Sequence, residues 1–238
     1  MRTASRPVDM CGRYTLFTPA EELADRFGVD VEWEPRYNCA PGQALPVVTP
    51  GADRMRTHQW GLIPPWADEA STDLINARAE TITEKPSFAD AFERRRCLVP
   101  ADGFYEWVNR SAGKRPYRVA FEDDRPFAMA GIRSRWEPPS RQTGLGEFGA
   151  GDVSADPEPV ESFAVVTTEP NDLVSDLHHR MAVILDPEAE STWLHGSVEE
   201  AAALLDPYPA AEMEAYPVST RVNDPRNDAS DLIDPAET

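Results

Sequence analysis

Lysine is nearly absent from this chain. Only Lys85 and Lys114 occur in 238 residues, the other bases are arginine, and acids outnumber bases 42 to 23 for a formal net charge of −19. An acidic surface poor in lysine leads us to expect a protein that works in high intracellular salt. Cysteine is scarce too: Cys11, Cys39 and Cys97 form no C-x-x-C pair, which excludes the usual thiolate zinc site and redox dithiol. An odd, small number of cysteines fits a reducing cytoplasm, where we expect the protein to reside. Cys39 and Cys97 sit among apolar neighbours and read as core. No run of about 18 apolar residues exists, so no membrane span is expected. The first ten residues hold no apolar stretch of the kind a secretory signal needs. Nor is there an internal repeat, and 23 prolines argue against long helices.

What is present is a hydrophobic content of 41%, enough for one domain with a full core. The charge is unevenly spread. Residues 186–238 carry 13 acids and 2 bases, and residues 137–162 carry 6 acids and one base. The rest of the chain, with 23 acids and 20 bases, is close to neutral and rich in arginine. Global acidity therefore does not exclude a nucleic-acid partner, although in molar salt the phosphate–cation attraction is weak and binding must lean on stacking, shape and covalent chemistry.

Local signals give an α+β class with grouped, mainly antiparallel strands in a barrel-like core and short flanking helices. Thr18-Pro19-Ala20-Glu21 reads as a capping box with proline at the first helical position, and Gly28 as the stop of that helix. A second helix is expected from Ser87, and two more around 187–195 and 198–205. Strands are expected at 45–49, 54–62, 97–108, 116–122, 126–134, 162–168 and 214–220. Residues 1–9 read as an extension, disordered or untranslated, ahead of a single domain over 10–222. Within that domain 137–161 has the composition of a flexible acidic insertion, and 223–238 reads as a polar, poorly ordered tail.

Four segments place polar or ionisable groups in apolar surroundings: Cys11-Gly12-Arg13-Tyr14, Leu74 to Glu80, Gly103 to Trp107, and Asp176 to Met181. If translation starts at Met10 and that residue is removed, Cys11 presents a thiol and a free amine on adjacent carbons, a pair that closes to a thiazolidine on an aldehyde. Otherwise Cys11 is a buried structural cysteine. Glu106 faces solvent by strand alternation, or sits in a pocket with its pKa raised. Of four histidines, His178 and His179 are adjacent; one can shuttle protons near neutral pH, or cap a helix. Asn76 is a turn or cap residue, or a donor to an amine or phosphate.

Taken together, ordered segments resemble the SRAP (SOS response-associated peptidase) family of abasic-site processing proteins. They are Met10 to Tyr14, Arg36-Tyr37-Asn38-Cys39-Ala40-Pro41-Gly42, Trp60-Gly61-Leu62-Ile63-Pro64, Ile75 to Thr81, Cys97 to Trp107, and Leu177-His178-His179-Arg180-Met181. The resemblance implies binding of single-stranded DNA at an abasic site and capture of the ring-opened sugar aldehyde by an N-terminal cysteine, in a crosslink that shields the lesion from strand cleavage. It implies Cys11 as nucleophile, Asn76 orienting amine and phosphate, Glu106 transferring protons, and His178 assisting sugar opening and crosslink reversal. Arg13, Arg78 and Arg180 would hold phosphates; Trp66, Trp107 and Thr167 would border the DNA path, with Pro41 in the pocket wall. No metal or organic cofactor and no membrane partner is implied, and we expect a monomer.

Two departures from the family pattern stand out. Nine residues precede Met10, so either translation starts there or the extension is cleaved, as a self-processing peptidase would do. In addition, His179-Arg180-Met181-Ala182 replaces the family's Asp-Arg-Met-Pro. A rival reading is an N-terminal-nucleophile amidohydrolase that uses Cys11 on an amide, with Asn76 in its oxyanion hole. A second rival is a non-catalytic DNA-binding module.

Overall fold

Runs of alternating apolar residues, cut at short intervals by Pro, Gly, Asn and Asp, can build only short elements, and that is what forms. The computed structural model describes residues 11–110, 113–139 and 158–236. In chain order these hold β1 (Tyr14–Leu16), α1 (Ala20–Phe27), β2 (Arg36–Cys39), β3 (Ala44–Val47), β4 (Arg56–Trp60), β5 (Asn76–Arg78), α2 (Ala89–Arg94), β6 (Arg96–Ala101) and β7 (Gly103–Arg110). There follow β8 (Gly113–Phe121), β9 (Phe127–Trp136), β10 (Val160–Thr168), α3 (Asp172–Ser175), β11 (Met181–Ala182), β12 (Ile184–Leu185), α4 (Pro187–His195), α5 (Val198–Ala202) and β13 (Met213–Pro217). The fold is α+β. The expected extension at 1–9 and most of the insertion at 137–161 lie outside the described residues. Among the described residues no helix is long and apolar enough to cross a membrane.

The strands form two sheets. One has the order β13-β8-β7-β1-β2 and is antiparallel throughout. The other runs β12-β9-β10-β4-β3, with β6 on β9 and with β5 and β11 on β10. Here β10 pairs in parallel with both β4 and β5, which the long intervening chain allows, while the remaining pairings are antiparallel, in line with the mainly antiparallel expectation. The second sheet curls closed. Val48, just past β3, exchanges two 2.9 Å backbone hydrogen bonds with Leu98 of β6, joining opposite edges. Inside lie Trp60, Phe163, Leu45, Val99, Ile132, Met181 and the free thiols of Cys39 and Cys97.

Three local expectations are corrected. The capping box at Thr18 does not form: the helix starts one residue later with Pro19 at its cap, and the Thr18 hydroxyl instead donates to Asp102 Oδ1 at 2.5 Å. A capping box does form at Ser197–Glu200 ahead of α5. The expected strand 97–108 is two strands, because Asp102 breaks the ladder and turns its carboxylate onto the backbone N–H groups of Phe17 and Thr18. The tail after residue 222 is docked. Asp228 accepts from the backbone of Tyr37 at 2.6 Å and of Asn38 at 2.9 Å and pairs with Arg36. Leu232 is buried, and Val218 bridges Pro235. Composition missed this because a few residues, the polar contacts of Asp228 and the buried Leu232, hold the segment.

One glycine positions the later site. Gly61 has φ +126°, and a Cβ there would lie 2.7 Å from Thr72 Cα. That close approach lets Leu62 pair with Leu74 and Trp60 Nε1 donate to Ile75 O at 2.9 Å, which lays β5 and Asn76 along β10.

Candidate active site

Four residues from distant segments meet where the two sheets adjoin. Cys11 precedes β1 and Glu106 lies on the adjacent β7, both in the first sheet. Asn76 opens β5, and His178 lies in the turn between α3 and β11; both strands pair with β10 of the second sheet. The Cys11 thiol donates to Glu106 Oε1 at 2.7 Å. Asn76 Nδ2 donates to the Cys11 carbonyl at 3.1 Å. His178 Nδ1 lies 3.8 Å from Glu106 Oε2 and 3.2 Å from the Arg180 carbonyl.

Burial sets the proton chemistry. Glu106 is only 2% exposed, and desolvation pushes its pKa up to about 8, opposed in part by the bond from Cys11. The Cys11 thiol is raised well above its ordinary value, first by burial and then by the neighbouring carboxylate. The Ala182 N–H bonds to the sulfur and pulls the other way. The pair thus holds a proton that either member gives up reluctantly near neutrality.

A cleft of about 480 Å³ opens onto this group. Of the expected residues it is lined by Arg13, Pro41, Glu106, Trp107 and His178, while Cys11 and Asn76 lie beneath, buried. Arg13 Nη1 donates to Asn38 Oδ1 and to Val222 O, each at 2.8 Å, and its guanidinium stands 5.9 Å from the Trp107 ring centroid. Trp107 Nε1 donates to Asn223 Oδ1 at 2.7 Å, so the docked tail builds one wall. Arg78 is exposed on β5 beside Asn76, paired in register with the buried Thr167. Arg180 is committed locally: it forms a two-pronged ion pair with Glu80 and donates to Thr167 O at 2.6 Å. Trp66 is 64% exposed and is not among the residues lining the cleft.

The cleft residues Asn109, Lys114 and Asn223 were not singled out in the sequence, while His179, singled out there beside His178, also lines the cleft. Asn109 and Lys114 are a cross-strand pair near the tip of the β7–β8 hairpin. Locating the hairpin turn and counting back to Glu106 would have found them; Asn223 had no sequence signal. Among the described residues no three His, Cys, Asp or Glu side chains gather as a metal ion would require.

The comparisons agree with one another. Residues 10–225 match the family model described as SOS response associated peptidase (SRAP). The chain is 38% identical to Abasic site processing protein YoqW of Bacillus subtilis (strain 168), covering 94% of this chain and 99% of that protein. It is 32% identical to Abasic site processing protein HMCES of Gallus gallus, over 96% of this chain and 78% of that one. A crystal structure of a protein from Bacteroides thetaiotaomicron superposes with a TM-score of 0.81 at 30% identity, covering 95% of this chain and all of that one.

Proposed function

The chain belongs to the SRAP family, and from that premise we propose that it processes abasic sites, capturing the ring-opened sugar of single-stranded DNA on Cys11 as a thiazolidine. The observation that carries this reading is the 2.7 Å contact between the Cys11 thiol and a buried carboxylate, with Asn76 fixing the Cys11 backbone and His178 behind Glu106. The reading requires a free Cys11 amine, hence a chain that starts at Met10 and loses it, or removal of residues 1–10 by the protein itself.

The steps balance as follows. The Cys11 amine attacks the aldehyde carbon to give a carbinolamine. Protonated Glu106 delivers its proton to the departing hydroxyl, which leaves as water, and an iminium remains. The carboxylate so formed takes the thiol proton, and the sulfur closes the ring on the iminium carbon. A carboxyl with its pKa near 8 is suited to give and then take one proton at neutral pH. His178 assists sugar opening and the reverse reaction. Trp107 and Trp66 supply stacking faces, each worth about 1–3 kcal/mol per base. Arg13 and Arg78 hold phosphates, and Arg180 joins them once Glu80, half-exposed, releases it. The lesion has no base to unpair, so the sugar enters at low cost. The protein acts as a monomer.

The amidohydrolase alternative would use Asn76 as an oxyanion donor; one of its two Nδ2 hydrogens is engaged with the Cys11 carbonyl at 3.1 Å, which leaves a single donor for that role. The test is a denaturing gel of the native protein with an abasic single-stranded oligonucleotide. We expect a band resistant to SDS and heat, absent for Cys11→Ala. A crosslink that persists in Cys11→Ala, or mass spectrometry showing the Cys11 nitrogen still acylated in active protein, defeats the proposal.

A further inference from the structure

A second and larger cleft, of about 780 Å³, lies away from the Cys11 group. It is flanked by the start of β4, the end of β9 and the start of β10, with Arg54, Arg56, His58, Arg133 and Glu161 in its lining. Glu161 and Thr167 stand six residues apart on β10, so this cleft is about 20 Å from the end of the strand that serves the first site.

Two of its three arginines lack an ion pair among the described residues. Acids outnumber bases almost two to one, and eleven arginines of the described residues have a carboxylate within ion-pair distance. Arg56 and Arg133 have none among the described residues. Arg133 is half-buried, and its Nε is a buried donor with no hydrogen-bond partner. Opposite charge is at hand but does not reach it. Glu161 lies 3.6 Å from His58 Nε2 and 3.9 Å from Arg135, and its buried Oε2 accepts no hydrogen bond. Arg54 is taken by Glu32 at 3.3 Å. The buried His58 is held neutral, its pKa lowered first by burial and further by the positive charge of Arg133 and Arg56.

A buried guanidinium N–H without an acceptor is costly and calls for a partner. The guanidinium fork matches phosphate oxygens in shape and charge. We propose that this cleft is an anion site that takes a phosphate group on Arg133 and Arg56, with Glu161 Oε2 accepting from a hydroxyl of the same ligand. The phosphate comes either from a free phosphate compound or from a strand that also reaches the first site.

Calorimetry on the full chain separates these sources and does not depend on crosslinking. One arm titrates inorganic phosphate; the other titrates an undamaged single strand of about twenty nucleotides across a salt series. A free-phosphate site predicts that Arg133→Gln and Arg56→Gln each weaken phosphate binding about tenfold or more and leave the strand unaffected. A strand site predicts weaker oligonucleotide binding and a log–log salt slope smaller by about one per variant. The Arg56 side chain is exposed and makes no hydrogen bond or ion pair among the described residues, so its variant keeps the test valid should Arg133→Gln fail to fold. Wild-type protein that binds neither probe, or variants that bind both as well as wild type, overturns the proposal. Crosslinking at Cys11 by both variants on a short abasic strand is expected to continue, so its loss would speak against the Cys11 reading and not against this one.

Discussion

At the scale of single residues, the proposed chemistry turns on one carboxyl. Glu106 holds its proton to about pH 8, and the amine it works beside has an ordinary pKa of about 7.7–8.0. The amine must be neutral to attack, so the rate rises with pH. Glu106 must be protonated to expel water, so the rate falls again above about pH 8. Crosslinking under single-turnover conditions is therefore expected to give a bell centred near that pH. Glu106→Gln should slow it by about 10²-fold or more and erase the alkaline limb; an unchanged profile in that variant would remove Glu106 from proton transfer. Strand alternation alone left this residue ambiguous, and the reason is visible. Phe104 and Glu106 share the face of β7 that turns inward, while Tyr105 on the other face is covered by Val218 and Val222 from the end of the chain. Both faces are closed, so the period of two carries no contrast between water and core. The identity of the site was legible only in the ordered motifs; its depth was legible only as one of two alternatives, and the structure buries both Cys11 and Glu106.

At the scale of elements, turn chemistry was readable and the shortest strands were not. Gly28 ends α1 in the left-handed region, as expected, and the helix at 187–195 falls where its pattern put it. β1, β2, β5, β11 and β12 have two to four residues each, too few to show any period, and among them β5 carries Asn76 while β1 and β11 flank Cys11 and His178 in the chain. Asn76 thus read as a cap or turn residue, yet it begins a strand. Asp102 is the element-scale surprise: a residue inside an expected strand whose carboxylate ties down the Phe17–Thr18 backbone just before α1. Asp102→Ala is expected to orphan the Thr18 and Phe17 amides, at about 1–3 kcal/mol for each buried donor left unpaired. The urea midpoint should drop with the m-value unchanged, and Asp102→Asn, which keeps an acceptor, should lose less. Equal stability of wild type and Asp102→Ala would show that the amides find other partners.

At the scale of the molecule, the formal charge of −19 dominates. Repulsion among exposed carboxylates opposes the compact state and is screened as the Debye length shrinks from about 10 Å at 0.1 M salt to about 3 Å at 1 M. On the reading of a high-salt protein, the thermal midpoint is expected to climb steadily as KCl is raised from about 0.1 M into the molar range. A midpoint that stays flat would argue that the acidic surface has another cause. This property was legible from composition because it depends on totals, whereas docking of the acidic tail depends on a few contacts such as Asp228 with Asn38.

The catalytic group draws Cys11 and Glu106 from one sheet and Asn76 and His178 from the other. On the proposed reading neither sheet alone gathers Glu106, Asn76 and His178 around Cys11, so a chain caught midway through folding, or one newly loosened by damage, has the aminothiol without the groups that speed its reaction. An indiscriminate aldehyde trap would be hazardous in a cell full of reducing sugars. By splitting that ensemble across its architecture, the proposed mechanism makes completed assembly the condition for efficient covalent attachment.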